Sequence, residues 1–588
     1  MSEALDIRAE LVKHGPEKSK LAAALGRFWP QVFVVALVLI LWAPRLSGPI
    51  DLRWDAGVYY ILGSSVASGQ GYRILSEPGA PEAVQYPPLL PFAVAAAQGV
   101  LHGNPDSLVA GCLRKSYFLI YIAYALAVFA LARRYLDGKF ALAATAVCLL
   151  HVWAIFLSDL LFAELPFALI SVAFILVGFD QTRWSGTKEF GSFFLAAAGF
   201  FLRTAGIVLF AAWISEAFLY RRWLRGSMRL ALAVSCIAAW QIHVAHIQRS
   251  NEYTRAAYDY QRAAYQNYNV TYFENIALLD PFRPELGRAG WLGMLKRFGA
   301  NLMITPAQLG EAVSAPQEFW RSAVPIQSIR GHIVARAVVR LAILVLGLLV
   351  ISGCVILGRR ADWRLLTLIC TSILLLCVTP WPEEFHRYLM PLGSFLAIAA
   401  ALSGQLCYRA VYNRITLRRP IALAIGAVAA LGLTAETLTA ARFLVAAHRA
   451  NRDPLAAGAH FFHGNDWIAW EQAVAWIKAN AAQNAIVATT APHQLYLRSG
   501  RRAVYPPFTP DSSTANRQLD AVPVNYVLID ELRYRDFSRR YALPVVEQDK
   551  SKWRLVYVID RTKVFENTAT PALGERGDAV RFRPLESL

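Results

Sequence analysis

The chain has 588 residues, 56% of them hydrophobic and 17% charged, with a mean hydropathy of +0.36. A soluble domain carries about a quarter charged residues, so this chain must present apolar surface to a medium other than water. Its net charge of +18 does not mark a nucleic-acid binder, because the basic residues fall in short clusters between apolar runs, as membrane topology requires.

Residues 1–27 are polar and read as a cytoplasmic segment holding Arg8, Lys13, Lys18, Lys20 and Arg27. No small-residue cleavage site follows the first apolar run, which therefore reads as a retained anchor. A helix needs about 20 apolar residues to cross the hydrocarbon with its backbone bonded internally. Candidate spans lie near 28–46, 114–132, 140–157, 165–181, 190–202, 205–220, 228–247, 333–357, 364–380, 389–408 and 420–442. They predict a mainly α, polytopic transmembrane domain over 28–442, with about eleven helices. With the N-terminus inside, the inside loops hold Arg133/Arg134/Lys139, Arg183/Lys188, Arg221/Arg222/Arg225/Arg229, Arg359/Arg360/Arg364 and Arg409/Arg414/Arg418/Arg419. The short outside turns nearly lack Lys and Arg, apart from Arg203 and Arg387. Residues 86–102 are apolar enough to form another span, but counting them would put the Arg133–Lys139 cluster outside. They read as a helix in the outer interface, within a first outside loop of 47–113; a second covers 248–332.

The first loop opens with Asp51, Asp55 and, four residues on, Tyr59 on the same helical face. A carboxylate at a membrane surface is partly desolvated and can act as a base; either acid could equally cap an interfacial helix. In the next outside turn Asp159 and Glu164 are the only charges in a long apolar stretch, where ionisable groups are costly unless they serve a function or are solvated. Arg203 follows in GFFLRTAGIVLF, placed either to hold an anion or to reach lipid headgroups. Six tyrosines crowd 253–272 (Tyr253, Tyr258, Tyr260, Tyr265, Tyr268 and Tyr272), a pattern of membrane interfaces and also a possible acceptor platform. The last outside turn reads TPWPEEFHRYLMPLGSF, with Glu383, Glu384, His386, Arg387 and Tyr388. Its acid–acid–His spacing is weak evidence for a metal, and none is expected.

Residues 443–588 read as a small α/β domain outside the membrane. Asp466 is placed to cap the helix WIAWEQAVAWIKAN, and AIVATT, VNYVLID and WRLVYVID read as buried strands. Seven cysteines occur and none lies beyond Cys407, so this domain folds without disulfides. No Gly-rich phosphate loop, HExxH or GxSxG motif is present.

Asp55-x-x-x-Tyr59, the Gly69–Gln70–Gly71–Tyr72 turn and Tyr86–Pro87–Pro88–Leu89 resemble the first loop of GT-C glycosyltransferases, nearest the branch of protein O-mannosyltransferases and the lipid A aminoarabinose transferase. The resemblance implies two juxtamembrane helices, matching 55–69 and 86–102, and makes Asp55 the catalytic aspartate. Ala56 stands where many members carry a second acid. Tyr86 stands where the aminoarabinose branch has lysine, so that branch's donor contact does not transfer. An acid before Leu-Pro in the second loop favours Glu164 over Asp159. Arg203 and the Arg387–Tyr388–Leu389–Met390–Pro391 segment match basic positions of the family.

The resemblance implies inverting transfer of a monosaccharide from a polyprenyl-phosphate donor to a lipid, glycan or protein acceptor. In it Asp55 is the base, Glu164 or Asp159 a supporting acid, Arg203 and Arg387 hold the lipid phosphate, and Tyr59, Tyr86, His386 and Tyr388 contact substrate, with no cofactor. The expected setting is a bacterial inner membrane with the C-terminal domain periplasmic. A transporter or flippase of lipid-linked sugars, which would bury charges mid-span and show related halves, and an inactive envelope scaffold are the rival readings.

Overall fold

The computed structural model describes residues 16–101, 106–179, 185–316, 329–413, 418–450 and 464–569. Arg8, Lys13, Arg183 and Arg414 of the topology argument lie outside the described residues.

Helix covers every expected span. Six helices are long and apolar enough by themselves to cross a bilayer: Phe28–Arg45, Leu108–Tyr135, Trp223–Gln248, Ile333–Arg359, Pro382–Arg409 and Gly426–Val445. A seventh arises if Gly138–Leu150 and Val152–Asp159, bent by 52° at their junction, form one broken span. Others are shorter: Glu164–Gly178, with 15 residues, measures about 22 Å against a hydrocarbon core of about 30 Å. Six or seven helices among the described residues thus qualify as spans by length and composition alone, which makes the protein multi-pass and helical; the shorter apolar helices leave the expected count of eleven unconfirmed.

The first outside loop forms two short helices, Asp55–Ala67 and Leu89–Val100. The second is one of the shorter apolar helices, not a span. The two pack closely because Gly63 has no side chain: a Cβ there would meet Val94 at 2.6 Å. The second outside loop holds a helix the sequence reading did not foresee, Trp291–Glu311, with Pro306 inside it. It packs against Ile329–Arg359 at paired glycines, where a Cβ on Gly347 would lie 1.8 Å from the Pro306 carbonyl oxygen.

Helix Arg418–Ala450 precedes the C-terminal α/β unit, which opens on helix Asn465–Asn480. Gly464, not Asp466, is the N-cap; Asp466 sits in the first turn and accepts from the Arg533 amide at 3.3 Å. Five strands follow: β1 Ile486–Ala488, β2 Arg502–Val504, β3 Tyr526–Ile529, β4 Trp553–Ile559 and β5 Thr562–Asn567. Their order is β2-β1-β3-β5-β4, with β1 parallel to β2 and β3, and β5 antiparallel to β3 and β4. β1, β3 and β4 are the three expected strands. β4 is not buried: it is an edge strand, and Leu555 and Val558 are exposed. Tyr258 and Tyr260 of the second outside loop join the apolar core on one face of this sheet, and Trp54 of the first loop packs on the core of the other. The C-terminal domain is thus built onto the two long loops, 47–113 and 248–332.

Glu216 and Glu436 are buried acids on helices of the bundle. Glu216 is paired with Arg229 at 3.0 Å and Arg364 at 2.7 Å. Glu436, in the span Gly426–Val445, is fully buried, and neither carboxylate oxygen has a hydrogen-bond partner among the described residues.

Candidate active site

Backbone pairing between the first two outside loops sets the site. The Asp51 amide donates to the Asp159 carbonyl at 3.1 Å, and the Leu161 amide to the Asp51 carbonyl at 3.1 Å. This bridge lays the two chains side by side just before each enters a helix, at Asp55 and at Glu164. Both carboxylates therefore stand in the first turn of a helix, where unpaired amides and the helix dipole favour negative charge. Trp54, at the N-cap of the first helix, has a φ of 55°, a left-handed turn that redirects the chain into the helix.

Beneath the bridge, Asp51 is buried against Arg53 at 2.7 Å. Asp159 is buried too, ion-paired with Arg114 and 3.7 Å from Arg45. Asp159 makes no contact with Asp55 among the interactions of the described residues.

Arg387 joins Asp55 to Glu164. One terminal nitrogen binds Asp55 Oδ2, and Nε donates to Glu164 Oε1 at 2.5 Å. Arg203, at the C-cap of helix Gly186–Leu202, approaches the same Glu164 oxygen at 3.2 Å. The result is a chain of alternating charge, Asp55–Arg387–Glu164–Arg203. Glu164 is 1% exposed and Arg387 15%, so the acid at its centre is inaccessible while the arginine still faces an opening. Tyr388 lies under both arginines, 5.2 Å from Arg203 and 5.8 Å from Arg387. Phe162 packs on Arg387 at 4.3 Å.

Asp55 is walled by aromatic rings. Tyr268 donates to its Oδ1 at 3.2 Å. Tyr86 stacks on Tyr268 at 5.9 Å and meets Tyr59 edge-on at 4.8 Å. Burial raises the Asp55 carboxyl, but the charge and hydrogen bond of Arg387, with hydrogen bonds from Tyr86 and Tyr268, outweigh it and hold the group below the ordinary carboxylate range. Asp55 is therefore ionised and in contact with a cation. It can accept a proton readily only after Arg387 finds another anion.

Of the nine residues singled out from sequence, the structure gathers Asp55, Glu164, Arg203, Arg387, Tyr59, Tyr86 and Tyr388. It keeps Asp159 in its own buried pairing. His386 is turned elsewhere, paired with Glu311 at 3.2 Å and stacked on Trp153 at 6.2 Å. Tyr268 emerges from the tyrosine-rich loop as a ligand of Asp55. The C-terminal domain adds Tyr505, stacked on Tyr268 at 6.2 Å, and His493, edge-on to Tyr268 at 4.6 Å. No spacing signal marks those two, since they reach Asp55 from more than 400 residues away in the chain. Among the described residues no group of three or more His, Cys, Asp or Glu side chains could hold a metal ion.

No protein-family model matches the sequence, and neither does any curated protein. Among solved structures, the fold is similar to the archaeal oligosaccharyltransferase AglB of Archaeoglobus fulgidus in complex with an inhibitory peptide and a dolichol-phosphate. The TM-score is 0.49 at 13% identity, over 86% of this chain and 69% of that one. It is also similar to ArnT of Cupriavidus metallidurans bound to undecaprenyl phosphate, with a TM-score of 0.48 at 10% identity, over 94% of this chain and 100% of that one. For ArnT in the apo state the TM-score is 0.41 at 11% identity.

Proposed function

We propose that this chain is an integral membrane glycosyltransferase that moves a monosaccharide, with inversion, from a polyprenyl-phosphate donor to an acceptor hydroxyl at the periplasmic face of a bacterial inner membrane. The observation that carries the reading is the charge chain in which Arg387 is shared by Asp55 and Glu164. An anion arriving at Arg387 and Arg203 competes with Asp55 for the guanidinium. Its binding releases Asp55 to take the acceptor proton, while Glu164 keeps both arginines in place. The acceptor oxygen then forms its bond to the anomeric carbon, and the bond from that carbon to the phosphate oxygen breaks. The electron pair leaves on the phosphate, where fixed arginines stabilise the added charge. The positive charge at the leaving group comes from side chains, so the reading requires no metal.

One observation suits a transporter of lipid-linked sugars: the buried Glu436 within a span. A transporter moves the donor without breaking its sugar–phosphate bond, so one assay separates the two. Purified protein given a radiolabelled polyprenyl-phosphate sugar and its host's membrane fraction should release polyprenyl phosphate and label an acceptor. Asp55→Asn should lower that transfer by about 10²–10⁴-fold, the contribution of a general base, in protein that still folds and inserts. Full activity in a folded Asp55→Asn protein would refute the assignment.

A further inference from the structure

The C-terminal domain reaches the site through helix Pro492–Ser499, whose His493 and Leu497 pack on the Asp55 helix at Gly57. A Cβ built on Gly57 would lie 3.4 Å from Leu497 and 3.6 Å from the His493 Cβ, ordinary van der Waals contact, which places the two helices against one another two residues after Asp55. His493 is 3% exposed. Its Nδ1 is fixed by Ser76 Oγ of the first outside loop at 2.7 Å, and the next strand of the domain is tied to the same residue by the Ala503 amide, 2.8 Å from the Ser76 carbonyl. The ring stands edge-on to Tyr268, the tyrosine that donates to Asp55. Its second nitrogen, Nε2, is buried with no hydrogen-bond partner among the described residues.

A buried polar atom without a partner costs free energy, and where it sits beside a reactive group the usual explanation is a missing water or ligand. Resting on the glycosyltransferase reading above, we propose that His493 is the acceptor-specificity residue: its Nε2 hydrogen-bonds an uncharged hydroxyl of the acceptor as that molecule lies against Asp55. The imidazole is held neutral there, since burial pushes it down to about 3, partly countered by the charge of Asp55. A neutral ring can donate one hydrogen bond or accept one, which suits a hydroxyl. It offers no cation to a phosphate, and the neighbouring carboxylate repels one. The domain thus selects hydroxyl over phosphate acceptors.

The test uses the full chain in lipid nanodiscs, with undecaprenyl phosphate [¹⁴C]mannose as donor and three acceptors: an octyl glycoside, a serine-containing peptide and octyl phosphate. The wild-type protein should glycosylate one of the two hydroxyl acceptors and leave octyl phosphate unlabelled; which of the two is used distinguishes a glycan from a protein source. His493→Phe, which keeps the volume but no nitrogen, should raise the acceptor KM at least tenfold while the donor KM stays unchanged. His493→Gln, which restores a polar atom, should return within about threefold of wild type. Ser76→Ala, which releases Nδ1 from outside the site, should fall between. Labelling of octyl phosphate, an unchanged acceptor KM in His493→Phe, or a folded His493→Gln as impaired as His493→Phe would each overturn the proposal. Failure of the wild-type protein to bind undecaprenyl phosphate would instead remove the glycosyltransferase reading, and this inference with it.

Discussion

Arg387 is the residue on which the site turns, because among the described residues it is the one cation touching both Asp55 and Glu164. The guanidinium can do this because it is a planar fork with several donors; a lysine ammonium is a point charge that cannot span two carboxylates and a phosphate in one geometry. Arg387→Lys should therefore lower kcat by about 10²-fold or more, the cost of removing one fixed donor from a developing oxyanion. The two acids of the second loop should separate just as clearly. Asp159 is locked between Arg114 and Arg45, both buried, so Asp159→Asn breaks a buried pair and should cost roughly 3–5 kcal/mol of stability, read as a lowered melting temperature. An Asp159→Asn protein that melts like wild type but has lost transfer would place Asp159 in the chemistry instead. The sequence favoured Glu164 only through its Leu-Pro neighbours. The structure distinguishes the two acids by their partners: Glu164 faces the arginines of the site, Asp159 those that staple the loops.

Among the elements, the two juxtamembrane helices were readable because a short apolar run bounded by Pro87–Pro88 is a local signal. At 12 residues the second of them, Leu89–Val100, is too short to cross the hydrocarbon by itself. Helix Trp291–Glu311 was not readable, since its Pro306 and its mixed composition resemble a loop and its reason for being helical is another helix. That reason is the glycine contact with Ile329–Arg359, where backbone meets backbone. Gly347→Ala should force the pair apart at Pro306 and cost about 1–3 kcal/mol, the range for overpacking, seen as a lower melting temperature in detergent. An unchanged melting temperature would show that the two helices do not touch there. In the C-terminal sheet, β2 has three residues and β5 (TKVFEN) only two apolar ones side by side, too little pattern for either to stand out. β4 has apolar residues that simply remain exposed at an edge.

At the scale of the whole molecule, the C-terminal domain is fastened to three of the loops that meet around the site. Ser76 and Ala503 hold it to the first loop, Tyr260 donates to the Tyr505 carbonyl at 3.0 Å from the second, and Arg535 pairs with Glu384 of the last at 3.1 Å. Stability should therefore follow the groups buried at that junction. His493 has an ordinary value of 6.5 and a folded one of about 3. An unfolded chain takes up this proton below about 6.5 while the folded one refuses it, so the stabilisation is complete above that pH and is lost as pH falls towards 3. The slope approaches 1.4 kcal/mol per pH unit for one proton. Wild-type protein should accordingly lose more melting temperature between pH 7 and pH 4 than His493→Gln. Parallel curves for the two would show that His493 is solvated.

The sequence by itself determined what depends on local composition. Hydropathy decided where apolar helices form, charge asymmetry gave the expected orientation, and the family-like motifs picked out Asp55, Glu164, Arg203 and Arg387 in order along the chain. Only the tertiary structure decided which of these groups touch. The contacts of Arg387 with Asp55 and Glu164 span 332 and 223 residues, and that of His493 with Ser76 spans 417. Such pairings leave no periodicity or spacing in the chain; they arise when packed helices and a docked domain close loops whose own sequences do not encode the encounter.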